Sequence, residues 1–247
     1  MSSWYDRWIR CRDNYWIGRW FELRGNIVTI DGCSFDISAP AIRTDAKSWF
    51  AFGRYERPER RAVERYLDPD TPVIEFGGSV GVVACVTNRK LRRRGDHIVV
   101  EANPDLVPVL EANRDRNGGA FTVLHRAVSY AGAEVEFFPH ANFLGGSTRP
   151  HSATSIRVPA TTLGELVQTY GYERITLICD IEGGELELVA RDATVLRHHV
   201  ALMIMEFHPW LLGAAGVAGL LRDLSALGFT VLHSEEDTYV LRNQHLA

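Results

Sequence analysis

Four short apolar runs in this chain each end on a carboxylate that opens into a turn. They are Val73-Ile74-Glu75, Val99-Val100-Glu101, Leu177-Ile178-Cys179-Asp180 and Met203-Ile204-Met205-Glu206. Runs this brief and this apolar suit strands covered on both faces. Helical patterns separate them at 80–94, 104–116, 161–170, 185–196 and 213–227. Further strands are expected at 121–128 and 134–139, with two more at 229–233 and 238–241. Strand alternating with helix predicts an α/β fold with a doubly wound, mostly parallel sheet of seven strands. Only Ser234 to Asp237 separate the last two strands, so a hairpin is expected there and the final strand should be antiparallel.

Residues 1–70 follow another pattern. Trp4, Trp8, Tyr15, Trp16, Trp20 and Phe21 crowd the start, and the spacing of Trp4, Trp8 and Cys11 suits one face of a helix. Alternating runs around Asp31-Gly32 predict a β-hairpin. A helix at 59–66 should turn Val63 and Leu67 inward and its arginines to water. The chain therefore divides into an N-terminal helix and hairpin extension, 1–70, and a sheet domain, 71–247. The aromatic cluster is read first as a packed layer; the competing reading is a lid or a homodimer surface.

The net charge of −4 excludes the basic surplus that non-specific nucleic-acid binding needs. The run from Arg89 to Arg94 ends a helix, where cations complement the dipole. Cys11, Cys33, Cys85 and Cys179 form no CxxC pair, which argues against a zinc or redox motif. Buried free thiols, no signal-peptide core and no apolar stretch long enough for a membrane span lead to the expectation of a cytoplasmic protein.

The strand ends carry the chemistry, because open α/β sheets bind ligands there. After Glu75 the chain reads Phe76-Gly77-Gly78-Ser79-Val80-Gly81. This is ExGxxxG, not the GxGxxG that cradles a dinucleotide pyrophosphate. A carboxylate at this turn would repel a diphosphate and suit the ammonium of a methionyl group. Glu101, followed by Ala102-Asn103-Pro104, stands where an acidic residue accepts hydrogen bonds from ribose hydroxyls. Asp180, Glu182 and Glu185 cluster after the next strand, and crowded carboxylates make useful bases. Glu185 is read as a stabiliser of its helix's first turn. Glu206 and His208 follow the last of the four strands and are expected to converge with Asp180.

The segments VIEFGGSVG, VEANP, CDIEGGE and MEFHP, in this order, resemble the FkbM family of S-adenosylmethionine-dependent methyltransferases. Gly53-Arg54-Tyr55-Glu56, LHRAVS at 124–129 and PATTLGEL at 159–166 are similar to further family elements. The resemblance spans about 53–209. Glu75 stands where the family usually has Asp, Gly78-Ser79 replace Ala-Asn, and Gly164 replaces an Asp. The resemblance implies a Rossmann-like class I methyltransferase fold and methyl transfer to a hydroxyl of a sugar, in a glycolipid or glycoside, or of a natural-product ring. It implies that Glu75 and the turn from Gly77, Gly78 and Ser79 to Gly81 line the methionyl part of the cofactor. Glu101 would hold the ribose. Ala102, Asn103, Arg126 and Ala127 would flank the adenine, and Glu56 would meet the methionyl amine.

Asp180 and His208 are the candidate bases, with Glu182 as a positioning group. A divalent metal on Asp180, Glu182 and Glu206 is compatible with hard oxygen ligands, but the spacing does not demand one and no metal ligand is assigned. A nicotinamide-dependent oxidoreductase and a non-catalytic cofactor-binding module are the rival readings.

Overall fold

The computed structural model describes residues 12–139, 148 and 155–246. Trp4, Trp8 and Cys11 lie outside the described residues. An N-terminal helix α1 (Arg12–Leu23) leads to the hairpin β1 (Ile27–Ile30) and β2 (Cys33–Asp36). Asp31 and Gly32 both take positive φ, 45° and 76°, as a two-residue hairpin turn requires. Two helices follow, α2 (Lys47–Ala51) and α3 (Arg57–Tyr66).

The main sheet then assembles from β3 (Val73–Phe76), β4 (His97–Glu101), β5 (Thr122–His125), β9 (Ile175–Cys179), β10 (Val200–Glu206), β11 (Phe229–Glu235) and β12 (Thr238–Asn243). Its strand order is β11-β12-β10-β9-β3-β4-β5. The pairs from β10 to β5 are parallel, while β12 runs antiparallel to both β10 and β11. Helices α4 (Val82–Lys90) and α5 (Val107–Arg116) connect the first three strands. On the other half, α6 (Leu163–Tyr170), α7 (Glu185–Arg191), α8 (Ala193–His199) and α9 (Pro209–Ala226) connect the rest. The expected seven-stranded, mostly parallel, doubly wound sheet is present.

Strand alternation sends successive side chains to opposite faces and so builds two cores. One joins Val73, Val99, Ile178 and Ile204 to α4 and α5, and also to Phe35, Phe50 and Val63 of the extension. The other joins Ile74, Val100, Leu177 and Met203 to α6 through α9. The extension thus shares the sheet's own core. Two asparagines one turn apart, Asn113 on α5 and Asn117 at its C-cap, fasten it. Asn113 Oδ1 accepts from Asp36 N at 2.8 Å, and Asn117 Oδ1 accepts from Ser34 N at 2.8 Å. This satisfies a β2 edge that would otherwise present unpaired amides.

Several local expectations need correction. The segment at 156–161 forms a strand, β8 (Ile156–Thr161), which pairs with β6 (Ala127–Val128) and β7 (Glu134–Phe137) in a small sheet. Ile156, Val158 and Ala160 alternate inward with Arg157 outward, but Pro159 within the run weakens the strand signal. The helix expected at 185–196 is two helices meeting at Asp192, and α9 starts earlier than expected, kinking at Gly213 with φ 68°. Arg60 is buried, not solvated: it ion-pairs with Asp31 and donates to the carbonyls of Tyr55 and Gly53. Trp16, Trp20 and Leu23 face outward on α1 and are 60%, 49% and 83% exposed, so the packed-layer reading fails for them; Phe21 alone of the described aromatics there packs on the core. Among the described residues no helix is long and apolar enough to cross a membrane.

Candidate active site

The order of strands reverses between β3 and β9, and this switch point is where an open α/β sheet gathers ligands. The glycine turn after β3 and the acidic turn after β9 meet there. Gly77 N and Gly78 N both donate to Val100 O, and Asp180 N donates to Phe76 O. Gly77 takes φ 88°, and a Cβ on it would lie 1.9 Å from Asp180 O. Only glycine allows that approach. Ser79 and Gly81 also adopt positive φ, which folds the turn into the start of α4.

Glu101 ends β4 beside this turn. Its Oε2 accepts from Ser79 N at 2.7 Å and its Oε1 from Asn103 N at 2.7 Å. Burial pushes its carboxyl up to about 7, against those backbone hydrogen bonds. Each carboxylate oxygen has a second lone pair left for a ligand hydroxyl. Asn103 is buried and caps the next loop by accepting from Asp105 N. Ala102 O accepts from His125, and Arg126 N donates to Glu101 O, which brings the β5 end to the same edge. The Arg126 side chain is exposed and reaches Ala160 O, while Ala127 is buried in β6.

Glu75 is placed differently. Its side chain points into the core below the turn, 1% exposed, with Oε2 3.2 Å from His97 Nε2. Burial holds the Glu75 carboxyl well above its ordinary range and pulls His97 down to about 3, so the pair is neutral. Asn88 Nδ2 can only donate, and it faces His97 Nδ1, which leaves Nε2 as the donor to Glu75.

The extension supplies the near wall. Tyr55, buried and stacked on Phe50, shares a 2.7 Å hydrogen bond with Ser79 Oγ. Glu56 follows at φ 47° as the N-cap of α3. The hydroxyl contact of Tyr55 was not anticipated, although the residue lies inside the GRYE segment.

The acidic turn carries the densest chemistry. Glu182 and Gly183 both take positive φ, 49° and 93°, which folds Glu182 and Glu185 back toward β10. His208, 3% exposed, follows β10 and fills the space between them. Its Nε2 lies 3.2 Å from Asp180 Oδ1 and 3.7 Å from Glu182 Oε2. The first is an ion-pair contact off the hydrogen-bond line, since Asp180 Oδ1 is buried without an aligned donor. Burial pulls the imidazole down, but Asp180 and Glu185 outweigh it and push His208 up to about 12. Burial, then the charge of Asp180, pushes Glu182 up to about 8.

Asp180 is the hub of a wider field. Burial foremost, with the charge of Asp180 adding to it, also raises Glu56, Glu59 and Glu206. Asp180 and His208 come together as expected, while Glu206, at the end of β10, feels the charge of both. So many carboxyls around one cleft suit a cationic ligand. One ligand atom each from Asp180, Glu182 and His208 lies within 4.8 Å of the others, whereas Glu206 is outside that group. Asp180 and Glu185 favour the charged form of His208, which would already place positive charge between these carboxylates, and no step is assigned to a metal.

The family model described as the methyltransferase FkbM domain matches residues 75–232. No curated protein matches. The chain is similar to the ribosomal protein L11 methylase of Lactobacillus delbrueckii subsp. bulgaricus, at 10% identity and TM-score 0.46, over 78% of this chain and 80% of that one. It is similar to a putative O-methyltransferase from Klebsiella pneumoniae, at 12% identity and TM-score 0.45, over 75% and 78%. It is also similar to TYW2 of M. jannaschii, solved in complex with AdoMet, at 10% identity and TM-score 0.45, over 87% and 82%.

Proposed function

The chain belongs to the FkbM methyltransferase family, and on that premise we propose that it transfers the methyl group of S-adenosylmethionine to a hydroxyl oxygen of a small molecule, a sugar or a natural-product ring. One observation carries the reading. The glycine turn and the Asp180–Glu182–His208 cluster touch, with Gly77 packed against Asp180 O, so a cofactor on the turn puts its reacting end beside the groups that can take a proton.

The site suits this cofactor in charge. Its ammonium and sulfonium are cations, and the carboxyls of Glu56 and Glu206, which burial and the charge of Asp180 raise, would give up their protons more readily beside a cation. Glu101 would accept from the ribose hydroxyls at the β4 end. Ala102, Asn103, Arg126 and Ala127 would border the adenine, and the turn from Gly77 to Gly81 the methionyl chain. Glu56 would face the amine. Glu75 would support the turn from below, through His97, and not touch the ligand.

When bound, the cofactor supplies an electrophilic methyl group that needs no further activation. The chain's work is then orientation and proton removal. Holding the acceptor oxygen in line can provide an effective molarity on the order of 10⁵ M. The acceptor proton would pass to a carboxylate of the Asp180–Glu182–His208 cluster. A base of this kind typically gives about 10²- to 10⁴-fold. Glu182, with a carboxyl near the working pH, is matched to that task.

The test is calorimetric titration with S-adenosylhomocysteine, the product form, with NAD as control. Micromolar binding of S-adenosylhomocysteine alone supports the reading. Binding of NAD in its place would overturn it in favour of an oxidoreductase.

A further inference from the structure

We propose that Glu185 is a positioning residue for His208: its buried carboxylate holds the Nδ1–H and thereby aims Nε2 at Asp180 and Glu182. This rests on the methyltransferase reading for its purpose, but not for its geometry.

Glu185 is completely buried, although it opens a helix whose first turn would normally be exposed. A carboxylate at that place could serve the helix dipole from solvent. Instead its Oε1 accepts from His208 Nδ1 at 2.9 Å and from Gly183 N at 3.2 Å. Burying a carboxylate is costly unless it is hydrogen-bonded to a specific partner. The positive φ at Glu182 adds local strain in the same turn. The sequence DIEGGE thus folds both Glu182 and Glu185 onto one imidazole, one on each ring nitrogen.

The consequence is chemical. A ring whose Nδ1–H is held by Glu185 must present Nε2 to the other side, so the buried carboxylate fixes which edge of the ring meets Asp180 and Glu182. Four titratable groups act on His208: Asp180, Glu182 and Glu185 from the turn after β9, and Glu206 from the end of β10. The Trp210 ring meets its edge at 6.0 Å between centroids. Of the four carboxylates, Glu185 is the one in hydrogen-bond contact with Nδ1.

The test needs no acceptor. Full-length protein labelled with ¹⁵N-histidine is observed by NMR across neutral and alkaline pH, with and without S-adenosylhomocysteine, and the His208 signals are identified by their loss in His208→Gln. In the wild type, Nδ1 should remain protonated throughout, with a persistent hydrogen-bonded proton. In Glu185→Gln, that proton should exchange faster and the His208 midpoint should fall by about one unit or more, while S-adenosylhomocysteine affinity stays within about threefold. A wild-type Nδ1 without its proton overturns the assignment, whether or not the variant folds. A midpoint unchanged in a folded Glu185→Gln overturns it as well. Absence of S-adenosylhomocysteine binding in the wild type would instead sink the cofactor reading, and would leave the Nδ1 signature to decide the role of Glu185 by itself.

Discussion

Glu75 and Glu101 end neighbouring parallel strands, yet their carboxyls do opposite things. Glu101 lies at the rim and accepts from two backbone amides of the surrounding loops. Glu75 lies in the core and meets His97. If the rim position is the ligand position, Glu101→Ala should weaken S-adenosylhomocysteine binding by roughly 10- to 100-fold, the worth of hydrogen bonds to a charged group. Glu75→Gln should leave affinity within about threefold, because an amide can replace a neutral carboxyl beside a neutral imidazole. Calorimetry on both variants decides. The reverse ranking would place the methionyl end of the ligand against Glu75 and undo the geometric assignment.

Turns and edges, at the scale of elements, decide whether the cleft exists at all. Gly77 combines a left-handed backbone with a 1.9 Å approach of its absent Cβ to Asp180 O. Gly77→Ala must therefore push β3 and β9 apart at their carboxyl ends. S-adenosylhomocysteine affinity should drop by more than 10-fold even where the variant remains folded by circular dichroism; unaltered affinity would mean the two turns do not share the ligand. The extension depends on α5 in the same way. Asn113→Ala removes a fully buried amide and leaves the part-buried N–H of Asp36 without its acceptor, which should cost roughly 1–3 kcal/mol in denaturant unfolding. A loss below that range would show that Asn117 and apolar packing hold β2 without Asn113.

Proton binding is a property of the whole molecule. Glu59 and Glu101 are raised from 4.5 to about 7, Glu182 from 4.5 to about 8, and His208 from 6.5 to about 12. In those windows the native state holds more protons than the unfolded chain, so stability falls as pH rises. His97, lowered from 6.5 to about 3, has the opposite sign, but its contribution is complete by pH 6.5. Above pH 6.5 these groups therefore act in one direction. The melting temperature should fall steadily from pH 6.5 toward 9, and His208→Gln should make that fall shallower. A flat or rising profile would mean that water or counter-ions already neutralise the cluster.

The rhythm of strands and helices, the carboxylate at four strand ends, the Asp31-Gly32 hairpin and the family membership were all legible in the sequence. Each depends on local periodicity or on residues adjacent in the chain, and those act before any fold exists. The convergence of Asp180 with His208 was legible too, because parallel strands bring their carboxyl ends to one edge. What the sequence hid depends on through-space partners. Alternation along β3 turns Glu75 to the same face as Val73, and only His97 on the next strand makes burial there tolerable. Arg60 is buried because Asp31 of the hairpin reaches it. Glu185 looks like a helix-start acid until His208, from the far end of the next strand, arrives against it. Local pattern set which elements form and where their polar ends gather. Tertiary packing alone decided which of those carboxyls lie at the rim and which hold another side chain, because the energy of a buried charge is fixed by its neighbours in space and not by its neighbours in the chain.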